Sequence, residues 1–272
     1  MKNFLLMIFM ILLCPISWAQ EVEWRLISDV PIKGVDQVSL DNRGQIFYTT
    51  RDGGLYQLSP QGIPINHFSP SRQAQITHLE AGWTVNIFTF SKDLQRFELF
   101  DRFLNPIMNR DLQDFEVGLA KASTLGNNHS LWVFDESDLS LKRIDYRRQT
   151  VIQKQPLNLV LEEQEWDVKD IKEVQNFLFL RVPDSVILFD NQGNFLKRLS
   201  IPGDSPLSLM GENLYNIEED KILEYNWNTG MKTAFNLPSV ITDHDVKIQG
   251  DQIVFFNQAG FLFYQNPFAI RK

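Results

Sequence analysis

The sequence is poor in the residues that carry most protein chemistry. Its 272 residues include one cysteine, Cys14, and four histidines. A single cysteine excludes an internal disulfide framework and a zinc site built on cysteines. The histidines, His67, His78, His129 and His244, form no pair at the i, i+4 spacing of a metalloprotease helix, and there is no Gly-x-Ser-x-Gly elbow. Positive charge is short as well. Lys+Arg number 26 against 34 Asp+Glu, and the net charge of −8 argues against a broad nucleic-acid or anionic-membrane footprint. After residue 14 no apolar run reaches the ~18 residues of a membrane helix. What is present is apolar bulk. Hydrophobic residues make up 43% and aromatic residues 12%, including 21 phenylalanines, which suits a packed, turn-rich globule with one large core or two modest ones.

The chain opens with Lys2 ahead of an unbroken apolar run over residues 4–14. Pro15 breaks that run, and Ser17 and Ala19 place small residues where a signal peptidase needs them. The run would span about 16 Å as a helix, roughly half a bilayer core, so a leader over residues 1–19 is expected rather than an anchor. Leu13 and Pro15 around Cys14 do not suit a lipid-modified cysteine. The expected product starts at Gln20, lacks cysteine and a transmembrane segment, and is exported to the periplasm or beyond the cell. Residues 20–272 are read as one domain.

That domain carries a weak repeat. Short apolar runs follow turn signals at residues 45, 85, 131, 177, 214 and 253, as in Leu131-Trp132-Val133-Phe134 after Gly126-Asn127-Asn128. Each has a follower, such as Lys221-Ile222-Leu223-Glu224-Tyr225, and several have a third run beyond a turn. A unit of roughly 40 residues with about four short strands is the size of a propeller blade. Six runs predict an all-β, six-bladed propeller. The sixth unit ends near Pro267 without a fourth strand, and the orphan segment at 22–27 is expected to supply it and close the ring. A pair of irregular β-sandwiches, or seven blades with one degenerate, are the alternatives.

Two stretches carry a resemblance. Asp41-Asn42-Arg43-Gly44 and Asp190-Asn191-Gln192-Gly193, each flanked by apolar strands, resemble the repeats of NHL-like six-bladed propellers, in which an Asp-x-x-Gly turn joins neighbouring strands of a blade. The resemblance implies the fold and carries no activity.

Candidate sites follow from that architecture. The innermost strands of a propeller run along a central channel, and their first residues ring one mouth. Here these are Asp36, Lys121, Asp170 and the run Asp243, His244, Asp245, with Gln75 and Ser208 from the other two blades. Carboxylates from three blades could face a cation, but Lys121 could pair with an acid, and a polar channel without metal is the expected state. His78 is expected to be a buried, hydrogen-bonded residue of an inner strand. Asn128-His129-Ser130 matches a glycosylation pattern but reads as a turn. The acidic run Glu162, Glu163, Glu165 ahead of Trp166 reads either as a solvated loop or as a contact loop anchored by the tryptophan.

The leading functional reading is a non-enzymatic interaction module of the cell envelope, with a protein partner, no nucleic acid and no cofactor. By analogy of fold, one such role is a plug-type accessory subunit of an outer-membrane protein-export translocon. Two alternatives remain. One is a calcium-assisted hydrolase or lyase in which Asp36, Asp170 and Asp243 hold the ion and His244 acts as base. The other is a carbohydrate binder using Trp83, Trp166 or Trp227.

Overall fold

A computed structural model describes residues 22–82, 86–162, 166–241 and 243–269; the expected leader lies outside the described residues. The described strands form six four-stranded antiparallel sheets, the blades of a propeller. Strand β1 (Leu26–Pro31) is first in the chain but belongs to the last sheet. Blade 1 contains β2 (Val38–Leu40), β3 (Ile46–Thr49), β4 (Leu55–Leu58) and β5 (Pro64–Phe68). Blade 2 contains β6 (His78–Glu80), β7 (Ile87–Ser91), β8 (Arg96–Phe100) and β9 (Pro106–Asp111). Blade 3 contains β10 (Ala120–Leu125), β11 (Ser130–Asp135), β12 (Ser140–Asp145) and β13 (Thr150–Pro156). Blade 4 contains β14 (Asp170–Val174), β15 (Phe177–Val182), β16 (Ser185–Asp190) and β17 (Phe195–Ser200). Blade 5 contains β18 (Ser208–Met210), β19 (Asn213–Glu218), β20 (Lys221–Asn226) and β21 (Lys232–Asn236). Blade 6 contains β22 (Asp245–Gln249), β23 (Gln252–Asn257) and β24 (Gly260–Gln265), with β1 as its outer strand.

The six apolar runs of the sequence are the second strands of the blades, within two residues at each start. They stand out because these strands lie between neighbours in their own sheet and are covered on both faces by adjoining blades. All six residues of β11 are buried, whereas the outer strand β13 alternates exposed and half-buried positions. The interior is not the one or two cores that composition allowed. It is six clusters, one between each pair of adjoining blades, because each sheet has two apolar faces and meets a different neighbour on each.

The turn motif has a visible cause. Asp190 Oδ1 accepts the Gln192 and Asn194 amides, and Gly193 takes φ 70° to bring the chain back into β17. A related device joins the third and fourth strands of blades 1, 2 and 5 in disguise. Ser59 accepts the Gln61 and Ile63 amides, Asp101 those of Phe103 and Asn105, and Asn226 those of Asn228 and Thr229. Leu104, at φ 63°, stands where glycine would be easiest. Serine or asparagine for aspartate, and leucine for glycine, hide the repeat from a motif reading. Asn128 and His129, both at positive φ, form the expected turn between β10 and β11.

The ring closes through the N-terminal strand, but not with the residues expected. β1 is Leu26–Pro31 rather than 22–27, and it pairs antiparallel with β24, Val30 opposite Phe261 and Pro31 opposite Gly260. The shift has a packing cause. Trp24 leaves the ladder to wedge edge-on against Phe255, Tyr264 and Phe268, with its indole N–H donating to the Asn236 carbonyl of blade 5 at 2.7 Å. At Gly260 a Cβ would run into the Val30 carbonyl oxygen, so the close approach of β1 requires glycine. Among the described residues no helix is long and apolar enough to cross a membrane.

Deleting residues 20–31 should therefore lower the melting temperature by more than about 10 °C, since a lost packed strand costs several kcal/mol and leaves a bare sheet edge. Trp24→Ala alone should cost about 2 kcal/mol, or about 4–8 °C. Circular-dichroism melts check both, and a deletion that melts within about 2 °C of the parent contradicts the closure.

Candidate functional site

Antiparallel order places the starts of the six inner strands, and the turns between second and third strands, on one face of the disc. Two clefts open there around the channel. The larger, of ≈ 720 Å³, lies among blades 5, 6 and 1 and is lined by Asp36, Glu219, Asp243, His244 and Asp245 over Val35, Ile217, Ile241 and Phe256. The smaller, of ≈ 290 Å³, lies among blades 2, 3 and 4 and is lined by Gln75, Thr77, His78, Lys92, Lys121, Asp167, Lys169 and Asp170. Gln37 lines both. The mouth is thus divided by charge, acidic on one side and lysine-rich on the other.

The residues expected to ring the mouth divide between these clefts. Asp36 accepts a hydrogen bond from Gln75 Nε2 at 2.9 Å. His244 Nε2 lies 3.3 Å from Asn257 Nδ2, and burial pushes the Asp245 carboxyl above the usual carboxylate range. Asp170 is on the far side, in the smaller cleft. Lys121 pairs with neither Asp36, Asp170 nor Asp243; its ammonium lies 3.1 Å from Glu136 and 3.4 Å from Asp167. Ser208 is buried and its hydroxyl has no hydrogen-bond partner among the described residues. Among the described residues no group of three or more His, Cys, Asp or Glu is arranged to hold a metal ion. The proposed trio Asp36, Asp170 and Asp243 is spread over two clefts, which leaves the calcium-assisted reading without an assembled site.

The principal electrostatic feature lies just inside the mouth. His78, 8% exposed, is held between two carboxylates: Nε2 lies 2.6 Å from Glu80 Oε1, and Nδ1 lies 2.8 Å from Asp170 Oδ1. Both ring nitrogens face acceptors, so the imidazole must carry both protons to satisfy them. Burial would push the His78 pKa down, but the charges and hydrogen bonds of Asp170 and Glu80 outweigh it and hold it up at about 9. Asp170, though opposed by burial, is drawn down to about 2 chiefly by the His78 charge. His78 belongs to blade 2 and Asp170 to blade 4, so the bridge links blades that are not neighbours. The sequence marked each residue alone; nothing in it signalled that they meet, because they are far apart in the chain.

This bridge is part of a belt linking successive blades. The Ala81 amide donates to Ser39 Oγ at 2.9 Å, joining blades 2 and 1. Thr124 of blade 3 donates to Glu80 of blade 2 and accepts from the Glu173 amide of blade 4. Asp170 Oδ2 accepts the Leu207 amide at the start of blade 5 at 2.9 Å, and Lys247 of blade 6 donates to the Leu207 carbonyl at 2.6 Å. Burial, then the nearby Lys172 charge, pulls Lys247 down to about 8. On the mouth face buried Asp135 accepts the Gly118 and Leu119 amides and pairs with Lys142 at 2.6 Å, fixing the entry to β10 and so the base of Lys121.

The longest connection between blades, residues 157–169, joins β13 to β14 beside the smaller cleft. Leu157 and Leu161 are buried and pin it to blades 3 and 4, while Leu159 between them is 93% exposed and Trp166 is 38% exposed. Glu162 lies 3.7 Å from Arg198, whose guanidinium also donates to the Val160 carbonyl. Glu163 and Glu165 lie outside the described residues, as does Trp83. Trp227, read as an exposed sugar platform, is buried: it fills the seam between blades 4 and 5 against Phe177 and Phe179, with Lys197 above its ring.

The His78 bridge fixes a pH dependence. Its pKa rises from an ordinary 6.5 to about 9 on folding, so its stabilisation is full below pH 6.5 and lost as pH rises through 9. Lys247, whose pKa falls from 10.5 to about 8, acts oppositely above pH 8. The melting temperature should therefore fall between pH 6.5 and 8. His78→Gln should lower it at neutral pH and flatten that slope; an unchanged slope in thermal melts would refute the assignment.

No protein-family model matches the chain, and no curated protein sequence does. Solved structures do. A streptogramin B lyase superposes with a TM-score of 0.57 at 15% identity, over 90% of this chain and 87% of that one. Virginiamycin B lyase from Staphylococcus aureus, in a catalytically inactive form with quinupristin, gives 0.58 at 13%, over 87% and 82%. The Pan2 WD40 domain of Neurospora crassa gives 0.58 at 10%, over 88% and 83%. Lyases and a WD40 domain are matched alike, and at these identities the likeness establishes the propeller fold alone.

Proposed function

We propose that the protein is a non-enzymatic binding module, exported to the cell envelope, whose mouth face docks a protein partner. The observation that carries this reading is the 157–169 connection, which holds Leu159 and Trp166 out to solvent on an anchored loop. An almost fully exposed leucine and a partly exposed tryptophan on one connection are poor surface chemistry for a monomer but suit an interface anchor. Leu119 and Val240, also exposed, lie on connections of the same face. The polar groups inside the channel support the reading from the other side. His78, Glu80, Asp170 and Lys247 have partners in one another or in the backbone, as members of a structural belt do. The compartment rests on the leader-like residues 1–19, and a subunit role in an envelope assembly accords with it. A sugar platform draws less support, since Trp227 is buried in a seam between blades.

The test is affinity recovery from envelope extracts with the tagged chain from Gln20. Trp166→Ala should melt within about 2 °C of the parent, because a half-exposed ring contributes little to the fold, yet lose the partner. Undiminished recovery by an equally stable variant would refute the contact role.

A further inference from the structure

We propose that the smaller mouth cleft is a receptor for the carboxylates of an acidic protein segment, and that Asp167 occupies it as an internal substitute. This rests on the docking role of the mouth face and names the chemistry of what docks. Lys121 enters the cleft from the inner strand of blade 3, and Lys169 from the end of the connection into blade 4. Both ammonium groups converge on the Asp167 carboxylate, at 3.4 and 2.7 Å. The protein therefore already shows that a carboxylate fits between them. Asp167 is a displaceable occupant: its side chain is 54% exposed, and an exposed ion pair is worth little.

The other charges around the cleft leave room for a second acid. Glu136 lies 3.1 Å from Lys121 and Asp204 3.7 Å from Lys169, each touching one lysine from the rim. Asp170 is committed to His78 and the Leu207 amide, so the cleft floor is a closed ion pair. Lys92 lines the same cleft and forms no ion pair among the described residues. Asp167 thus bridges two of the cleft's three lysines, each of which also meets one rim acid, while the third has no ion-pair partner among the described residues. Trp166, the residue before Asp167, stands beside the position where an incoming carboxylate would displace it. That arrangement suits a segment offering acid and apolar groups together. The chain carries −8 overall, which repels polyanions elsewhere and makes binding at this spot distinctive.

The experiment titrates the chain from Gln20 with a fluorescein-labelled hexaglutamate peptide, read by anisotropy at low and at 0.3 M salt. Asp167→Asn should tighten binding by about fivefold, the upper worth of one exposed ion pair, and high salt should weaken it. The double variant Lys121→Gln, Lys169→Gln should bind no peptide while keeping its melting temperature within a few degrees. Glu212→Gln removes an equal charge on the opposite face and should change affinity less than twofold. The proposal fails if Asp167→Asn binds no tighter than the parent, if Glu212→Gln gains as much, or if the lysine variant still binds. Saturation by free glutarate as readily as by the peptide would overturn the assignment to a protein segment. Should Trp166→Ala lose its partner while Asp167→Asn gains nothing, the docking role stands and the carboxylate receptor falls.

Discussion

A ring of six sheets is stable only if its two ends are tied, and here the tie is the antiparallel pairing of β1 with β24. Most seams join blades adjacent in the chain, whereas this pairing and the seam between blades 6 and 1 join its two ends. The pairing joins the two ends of the described chain, so the entropic cost of ring closure is met by this strand, its Trp24 wedge and the adjoining seam together. With the strand in place each blade has two covered faces and the six seam clusters are complete. Without it, the seam between blades 6 and 1 loses Val30, and β24 becomes a bare edge.

The channel belt does for the inner rim what β1 does for the outer one. Burying charge in a narrow channel is costly unless each group finds a partner. The solution is a chain of partners that crosses blade boundaries: Ser39, Glu80, Thr124, His78, Asp170 and Lys247 each satisfy a group on another blade. Removing one member strands another in low dielectric, so the belt fixes blade register as well as stability. It also commits Glu80 and Asp170 to partners within the fold.

The two clefts differ in charge, and the connection that borders the smaller one exposes Leu159 and Trp166 while Leu157 and Leu161 are buried. The exposed ion pairs of Asp167 with Lys121 and Lys169 lie beside that loop, where exchange with a partner's charges is inexpensive.

The sequence by itself determined the fold class, the number of blades and the second strand of each. Those strands are covered on both faces, so burial writes itself into the chain as continuous apolar runs. It marked Asp190 and Gly193 because aspartate and glycine are the plainest residues for that turn. It could not show that Ser59, Asp101 with Leu104, and Asn226 make the same turn, since several side chains can supply one acceptor oxygen. Tertiary structure alone decided that β1 starts at Leu26, because Trp24 is drawn off the ladder by Phe255 and Phe268. It also decided that Trp227 is buried and that Lys121 faces Glu136 and Asp167. The His78–Asp170 bridge belongs there too: hydrogen bonds act over about 3 Å, and residues remote in sequence come within that reach only after the blades have been stacked into a ring.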